Sequence, residues 1–294
     1  MTNLIVWWLT CLIWSSVWLF IKIGVSDVPP VSFAAIRVLI ALAVLLPVAA
    51  ARRVPVPHSR DWMTVAVTGM LLLALNYAST FWGAQFVSSG IVAVLQAATP
   101  AFGLCFGHYL LPDERFSLKK LGVLALGIAG VAIVCGDRLH AGGAPGFAGS
   151  AAVVFGGVCV ALGYVLVKAR GSHLDPLAIM TGQIACAVVP LIAYGLIHDG
   201  NPLAFRWTNR AVGSLLYLAL AGSVAAFWLN YWLLQRMGAT KVLSMSLVEP
   251  LIAVVLGALV LHETITLMAG VGGILILISI WLLLTAPAGD RATG

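Results

Sequence analysis

Charged residues are scarce in this sequence of 294 residues, since Asp, Glu, Lys and Arg together make up only 9% of it. A soluble domain of this length carries about 25% charged residues. Hydrophobic residues make up 62% of the chain, and the mean hydropathy is +1.06. This composition excludes an ordinary soluble protein. It predicts a polytopic integral membrane protein, for which the lipid bilayer is the surrounding partner.

Paired cysteines and metal-ligand motifs are also missing. The 5 cysteines all lie inside apolar runs, without a CxxC spacing, so we predict no disulfide and no metal site. The 6 histidines form no HExxH pattern, and no stretch reads as a nucleotide-binding P-loop. These absences argue against a metalloenzyme and against ATP-driven transport by this chain. We predict no catalytic residue, no cofactor and no enzymatic activity.

The net charge of +6 does not indicate nucleic-acid binding, because the basic residues stand singly between apolar runs. They indicate orientation instead, since cytoplasmic loops are enriched in Lys and Arg. One set of loops holds Arg52, Arg53, Arg60, Arg115, Lys119, Lys120, Lys168, Arg170, Arg236, Lys241 and Arg291, and the opposite set holds Lys22, Arg138, Arg206 and Arg210. We predict that the first set faces the cytoplasm, together with both termini.

Ten apolar runs of about 20 residues are each long enough to cross a bilayer core of roughly 30 Å as a helix. We place them at residues 4–24, 31–51, 62–83, 89–111, 118–136, 147–168, 176–197, 211–234, 239–261 and 265–285. The sequence therefore predicts an all-α integral membrane protein with ten transmembrane helices. It does not indicate an oligomeric state.

The two halves of the chain repeat each other. An offset of 150 residues places Trp82, Gln85, Pro100 and Gly107 on Trp232, Gln235, Pro250 and Gly257, and an offset of 146 places Lys22 on Lys168 and Pro30 on Pro176. Each half holds five spans, an odd number, so the halves must have opposite orientations. Inverted repeats are typical of alternating-access carriers, whose substrate site lies near mid-membrane at the repeat interface. We predict a first repeat over residues 1–140, a second, inverted repeat over 145–286 and a cytoplasmic tail over 287–294.

These halves resemble the EamA-type carriers of the drug/metabolite transporter superfamily over nearly the whole chain. In the first half, the resemblance rests on Trp14-Ser15-Ser16, Lys22-Ile23-Gly24, Arg37 and the run from Ala84 to Pro100, with Glu114 at its end. In the second half, it rests on Glu249-Pro250, Gly257, His262-Glu263 and Gly270. It implies two inverted five-helix units around a central cavity, and transport of a small metabolite, often export of an amino acid or a related compound. The first span's Trp14 has no tryptophan counterpart in the second half, where Val160-Ala161-Leu162-Gly163 stands. We therefore expect an asymmetric cavity.

Glu249 is the only carboxylate that lies well inside an apolar run, and Pro250 follows it directly. A charge near the centre of a span costs about 2.5 to 3.5 kcal/mol on insertion scales. We therefore predict that Glu249 binds a substrate ammonium or carries a coupling proton. The alternative is a protonated glutamate that only packs against a neighbouring helix. Its counterpart in the first half, at the offset of 150, is Thr99.

Further embedded polar groups complete the predicted substrate site. Gln96 lies four residues before Pro100 and ranks above the other embedded amides, which are Asn76, Gln183 and Asn230. Trp14, Ser15 and Ser16 of the first span are also candidate contacts, although serine hydroxyls often bond back to their own helix. Arg37 is a candidate for a substrate carboxylate. Because it lies about 10 Å along the helix from Pro30, we favour the alternative, in which its side chain snorkels to the membrane surface.

Prolines and small residues of the fourth and ninth spans have two predicted roles. Pro100 and Pro250 mark kinks, which are either static or flex during transport. Gly103-xxx-Gly107 and Ala253-xxx-Gly257 predict close helix packing.

Two other classes of membrane protein are less consistent with the sequence. An enzyme acting on lipid needs a polar cluster at one interface, and a channel needs a filter loop or a ring of like residues. We therefore predict a secondary carrier of the inner or plasma membrane that moves a small organic molecule by alternating access.

Overall fold

The computed structural model describes residues 2–24, 27–84, 86, 92, 95–112, 117–134, 143–249, 252 and 267–285. Over this part of the chain all regular structure is helical, which confirms the predicted fold class there. Five of the described helices are long and apolar enough to cross a membrane: Pro30–Ala51, Ser59–Thr80, Pro145–Arg170, Pro176–His198 and Asn209–Leu234. Shorter apolar helices cover Thr2–Val17 and Gly270–Leu283.

The α-helices lie within or close to the predicted spans, although some cover only part of a span. They are α1 (Thr2–Gly24), α2 (Pro30–Ala51), α3 (Ser59–Gly69), α4 (Asn76–Ala84), α5 (Thr99–Leu110), α6 (Leu118–Val134), α7 (Gly143–Arg170), α8 (Pro176–His198), α9 (Asn209–Tyr217), α10 (Ala226–Leu234), α11 (Ala239–Leu243) and α12 (Leu267–Thr285). The predicted spans 89–111 and 239–261 are described only in part, so the count of ten stays a prediction.

Two π-helical segments interrupt the third and eighth spans. The segment Met70–Leu75 joins α3 to α4, and the segment Leu218–Ala225 joins α9 to α10. At the offset of 150, the first segment corresponds to residues 220–225, which lie inside the second segment. π-helical turns are rare and occur frequently at functional sites. The sequence did not predict them, because MLLLAL at Met70–Leu75 does not differ from the sequence of an ordinary apolar α-helix.

Two aspartates cap the equivalent helices α2 and α8. Asp175 precedes α8, and its side chain accepts hydrogen bonds from the backbone N–H groups of Leu177 and Ala178, at 2.7 and 3.3 Å. The residue before α2 is Pro29, which has no capping side chain. Instead Asp199, just after α8, accepts a hydrogen bond from the backbone N–H of Ser32 at 2.8 Å. Each helix N-terminus thus has a carboxylate, which its dipole favours.

Helices of the two halves that are paired by the offsets of 146 and 150 make matching contacts. α1 packs against α9 and α10, and the equivalent helix α7 packs against α3 and α4. Two other contacts join helices that are each other's equivalents: α2 with α8, and α6 with α12. A third contact joins α5 with α11, which lie in different parts of the equivalent predicted spans 89–111 and 239–261. This pattern is the one that a twofold relation between the two halves of the chain predicts.

Two loop contacts follow the same relation. Asp27 and His173 occupy equivalent positions at the offset of 146, each shortly after a long helix. The Thr208 hydroxyl, which caps α9, donates to the Asp27 carboxylate at 2.6 Å. His173 Nε2 lies 3.3 Å from Oδ1 of Asp61 in the first turn of α3. Each loop therefore meets the first residues of a helix from the other half.

Close contact of α6 with α12 gives a matched stability prediction. A Cβ on Gly130 would lie 2.8 Å from the Gly272 carbonyl oxygen, whereas a Cβ on Gly122 meets nothing within 4 Å. We expect Gly130→Ala to lower the melting temperature of the detergent-purified protein, because α6 and α12 must separate. Gly122→Ala should stabilise its helix by about 1 kcal/mol. Thermal unfolding of the two variants measures the difference, and equal melting temperatures would contradict the close contact.

Candidate functional site

A cavity of about 220 Å³ lies between the two halves of the chain. For comparison, an engineered apolar cavity of roughly 150 Å³ binds benzene. The cavity is therefore large enough for a small organic molecule. Its polar lining consists of Arg37, Asn76, Thr80, Gln96, Thr99, Asn230, Ser246 and Glu249, and its aromatic lining consists of Trp14, Tyr77, Tyr164 and Phe227.

Most of the cavity lining comes in equivalent pairs from the two halves. At the offset of 150 the pairs are Tyr77 with Phe227, Thr80 with Asn230, Val92 with Val242, Gln96 with Ser246, and Thr99 with Glu249, and at the offset of 146 Trp14 pairs with Val160. The cavity thus lies where equivalent positions meet, which is where a repeat transporter holds its substrate. The two residues differ in five of these six pairs, so the two walls are asymmetric.

Polar side chains of the first half bond to one another along the cavity wall. The Thr80 hydroxyl donates to Asn76 Oδ1 at 3.1 Å, and Gln96 Nε2 donates to Thr80 Oγ1 at 3.2 Å. The Thr99 hydroxyl lies 3.5 Å from Gln96 Oε1. Asn76 Nδ2 also donates to the Leu72 carbonyl oxygen, within the π-helical segment, at 3.3 Å. This wall therefore has most of its hydrogen-bonding groups occupied.

Two adjacent glycines of α7 make room for these side chains. A Cβ on Gly156 would lie 2.5 Å from the Thr80 hydroxyl oxygen, and one on Gly157 would lie 3.0 Å from the Thr99 hydroxyl oxygen. A larger residue at either position would push the hydrogen-bonded side chains out of place. The close approach of α7 therefore helps to position Thr80, Gln96 and Thr99.

Glu249 lies in the cavity wall of the second half. It ends the described helical stretch 245–249 and is half-buried. Its neighbour in the wall, Ser246, donates its hydroxyl to the Leu243 carbonyl oxygen at 3.0 Å. The structure therefore places the one embedded carboxylate of the sequence at the cavity, opposite the first-half wall that holds Thr99.

Arg37 also lines the cavity, and the snorkelling favoured from the sequence is wrong. Its side chain is only 5% exposed. Nε donates to the Ser223 hydroxyl at 2.9 Å and Nη2 to the Gly222 carbonyl oxygen at 3.4 Å, and the guanidinium lies 5.8 Å from the centre of the Tyr77 ring. The reason is the second π-helical segment, which offers polar groups deep in the membrane. Within the described part of the chain, Arg37 forms no salt bridge.

Asn230, which the sequence ranked below Gln96, also lines the cavity. It is fully buried, with 0% exposure, and neither its Nδ2 nor its Oδ1 has a hydrogen-bond partner in the described structure. A buried amide without partners costs about 1 to 3 kcal/mol. No sequence signal separates it from the other embedded amides, except that it is the counterpart of Thr80.

Three candidates of the first span have different positions. Trp14 lines the cavity, and its ring packs edge-on against Phe227 with centroids 5.9 Å apart. Ser15 and Ser16 do not line it. The Ser15 hydroxyl donates to the Cys11 carbonyl oxygen at 2.6 Å, and the Ser16 hydroxyl donates to the Ile13 carbonyl oxygen at 2.7 Å. Both serines thus bond to their own helix, and the Ser16 hydroxyl also bonds to the Tyr217 hydroxyl of α9 at 2.6 Å.

Pro100 lies in the first turn of α5, directly after a break of one residue in the helical stretch, and its role as a static or flexing kink stays a prediction. The chain is helical at residues 95–97, turns at Ala98 and begins α5 at Thr99. A proline is tolerated there because the first turn of a helix lacks acceptors for its N–H groups. Gly103 lies against α11, since a Cβ there would overlap the Leu243 side chain, and Gly107 is buried. Pro250, Ala253 and Gly257 lie outside the described part of the chain, so their predicted roles stay predictions.

The sequence pattern of the EamA-like transporter family matches residues 2–136 and 147–285. The chain belongs to this family. The resemblance seen in the sequence is thereby confirmed, and the protein is a membrane transporter by family, a class that is generally not enzymatic. A crystal structure with 17% sequence identity shares the fold, with a TM-score of 0.81 over 97% of this chain and 96% of that one.

Several other proteins are similar to this chain over most of their length. The uncharacterized inner membrane transporter YedA of Escherichia coli K12 is 32% identical over 87% of this chain and 81% of its own. The uncharacterized transporter YoaV of Bacillus subtilis is 27% identical, with 92% of each chain covered. A probable amino-acid metabolite efflux pump of E. coli K12 is 25% identical over 93% of this chain and 92% of its own.

Proposed function

We propose that this transporter is a secondary carrier that moves a small organic metabolite, an amino acid or a related compound, by alternating access. The observation that carries this proposal is the cavity lined by equivalent residues of the two halves, because a site shared by two repeats can open to either side of the membrane as the repeats rock. The E. coli relative named as a probable amino-acid metabolite efflux pump supports the substrate class and export as the direction.

The proposed architecture is ten transmembrane helices in two inverted five-helix repeats, over residues 1–140 and 145–286. Support comes from the packing pattern, in which α1 with α9 and α10 is matched by α7 with α3 and α4. The excess of Lys and Arg in one set of loops supports cytoplasmic N- and C-termini, in the cell (inner) membrane.

The proposed substrate contacts are the cavity-lining members of the predicted site. Glu249 binds an ammonium group or carries a coupling proton, Arg37 faces a carboxylate, and Gln96, Thr99 and Trp14 complete the walls. Ser15 and Ser16 act indirectly, through the first helix to which their hydroxyls are bonded.

Counterflow in proteoliposomes tests the proposal. Vesicles containing the purified protein are loaded with one unlabelled apolar L-amino acid and diluted into the same amino acid in radiolabelled form. A carrier should accumulate label transiently above the equilibrium level, because each inward-facing site exchanges label for unlabelled solute. Protein-free liposomes are the control. Label that only equilibrates would indicate a channel, and chemically altered label would indicate an enzyme; either result contradicts the proposal.

A further inference from the structure

We propose that Asn230 is a substrate-binding residue, a role that rests on the proposed function and adds a member to its site. The amide donates one hydrogen bond from Nδ2 to the solute and accepts another at Oδ1. Two observations support this role: the side chain is 0% exposed, and both of its polar atoms lack a partner among the described residues. Buried polar groups in proteins are nearly always hydrogen-bonded, so this amide needs a partner that the described residues do not supply.

The other embedded amides are all satisfied by the protein. Gln183 donates to the Thr68 hydroxyl at 2.6 Å and accepts a hydrogen bond from the Tyr231 hydroxyl. Asn76 and Gln96 belong to the hydrogen-bonded wall of the first half. All four residues carry the same amide group, so the unpaired state of Asn230 is specific to its position.

The position of Asn230 on α10 directs its side chain toward the cavity. Phe227, three residues earlier and so on the same face of the helix, lines the cavity together with Asn230. Neighbouring residues point elsewhere: Tyr231 bonds to Gln183, and Trp228 is 41% exposed on the outside of the protein. The unpaired amide therefore lies in the wall of the cavity, next to the space in which a solute would bind.

The cavity indicates which kind of solute the amide receives. An amide presents a donor and an acceptor on adjacent atoms, and an α-amino acid offers the complementary pair, a carboxylate oxygen and an ammonium N–H. Arg37, which forms no salt bridge in the described part of the chain, and Glu249 lie in the same cavity with the matching charges. The aromatic side chains Trp14, Tyr77 and Phe227 leave an apolar space for the rest of the molecule. The solute is a zwitterionic amino acid with an apolar side chain.

The test compares Asn230→Leu with wild type, using L-leucine as the probe. Leucine has nearly the size of asparagine and no hydrogen-bonding group, so the variant should melt at the same or a higher temperature without solute. Its KM for L-leucine in counterflow should rise about tenfold, the effect of one or two lost hydrogen bonds. Asn230→Thr, which installs the residue type of the equivalent Thr80, keeps one hydroxyl and should have an intermediate KM.

Gln183→Leu is the matched control, because Gln183 is an embedded amide that lies outside the cavity and is satisfied by the protein. It should lower the melting temperature and leave the KM for L-leucine unchanged. Failure of wild type to exchange L-leucine would count against the proposed function itself. Exchange by wild type with an unchanged KM in Asn230→Leu would overturn the inference alone, as would a loss of stability in Asn230→Leu as large as that in Gln183→Leu.

Discussion

Glu249→Gln is expected to abolish net solute movement driven by a pH gradient, while the purified variant stays folded. Glutamine has the shape of a protonated glutamate and cannot ionise, so it can neither release a proton nor hold an ammonium by charge. Glu249 lines the cavity and is half-buried. An ionisable group inside a membrane-spanning segment is costly and is by default a functional candidate.

Two assays on the same proteoliposomes separate the two roles of this carboxylate. Counterflow requires only that the loaded site changes sides, and no net proton moves. If Glu249 carries the coupling proton, Glu249→Gln should lose accumulation driven by a pH gradient and keep counterflow. If it binds the substrate ammonium, both activities should fall, because a charge-assisted hydrogen bond is worth about 1.5 to 3 kcal/mol, or roughly 10-fold to 150-fold in affinity.

Ser244→Ala is the control for Glu249→Gln. Ser244 precedes the same helical stretch, and its hydroxyl donates to the Lys241 carbonyl oxygen at 2.7 Å without lining the cavity. The variant should therefore keep both activities. If Glu249→Gln transports normally in both assays, and still depends on pH as wild type does, Glu249 is a packing residue and the proposed site is wrong.

The helices of the fold were predictable from the sequence, because a bilayer imposes a length and an apolar composition on each span. Pro30–Ala51 and Pro176–His198 begin within one residue of their predicted starts, since a proline marks the first turn of each. The two π-helical segments were not predictable. A π turn adds one residue to a helical turn, and it depends on how neighbouring helices pack. The sequence of a single helix does not give that packing.

The candidate site was predictable in part. Glu249, Thr99 and Gln96 were found because embedded polar residues near a repeated proline stand out in an apolar chain. Arg37 was misjudged because its distance to the membrane surface was known from the sequence, whereas its partners Ser223 and Gly222 come from the other half of the chain. The role of Asn230 depends on the partners that its amide lacks, and only a three-dimensional structure reveals a missing partner.

Arg37→Met is expected to weaken L-leucine transport by roughly 10-fold to 150-fold in affinity, the effect of losing a charge-assisted hydrogen bond. The guanidinium is 5% exposed and has two neutral acceptors, one of them at the long distance of 3.4 Å. A charge buried with so little compensation is costly. A substrate carboxylate in the cavity would supply the opposite charge, so the binding of an anionic group should depend on this residue. Counterflow of L-leucine at a series of concentrations measures the change.

The competing explanation of Arg37 is a structural tie between α2 and the second π-helical segment, and Ser223→Ala tests it. That substitution removes the acceptor at 2.9 Å from Nε and leaves the charge at the cavity. If Arg37 binds the carboxylate, Ser223→Ala should retain the affinity for L-leucine that Arg37→Met loses. Inhibition of transport by 3-methylbutylamine, which is leucine without its carboxylate, should be equal in wild type and Arg37→Met. A parallel loss in Ser223→Ala, or weaker inhibition by the amine in Arg37→Met, would show that Arg37 holds the helices together and does not contact the carboxylate.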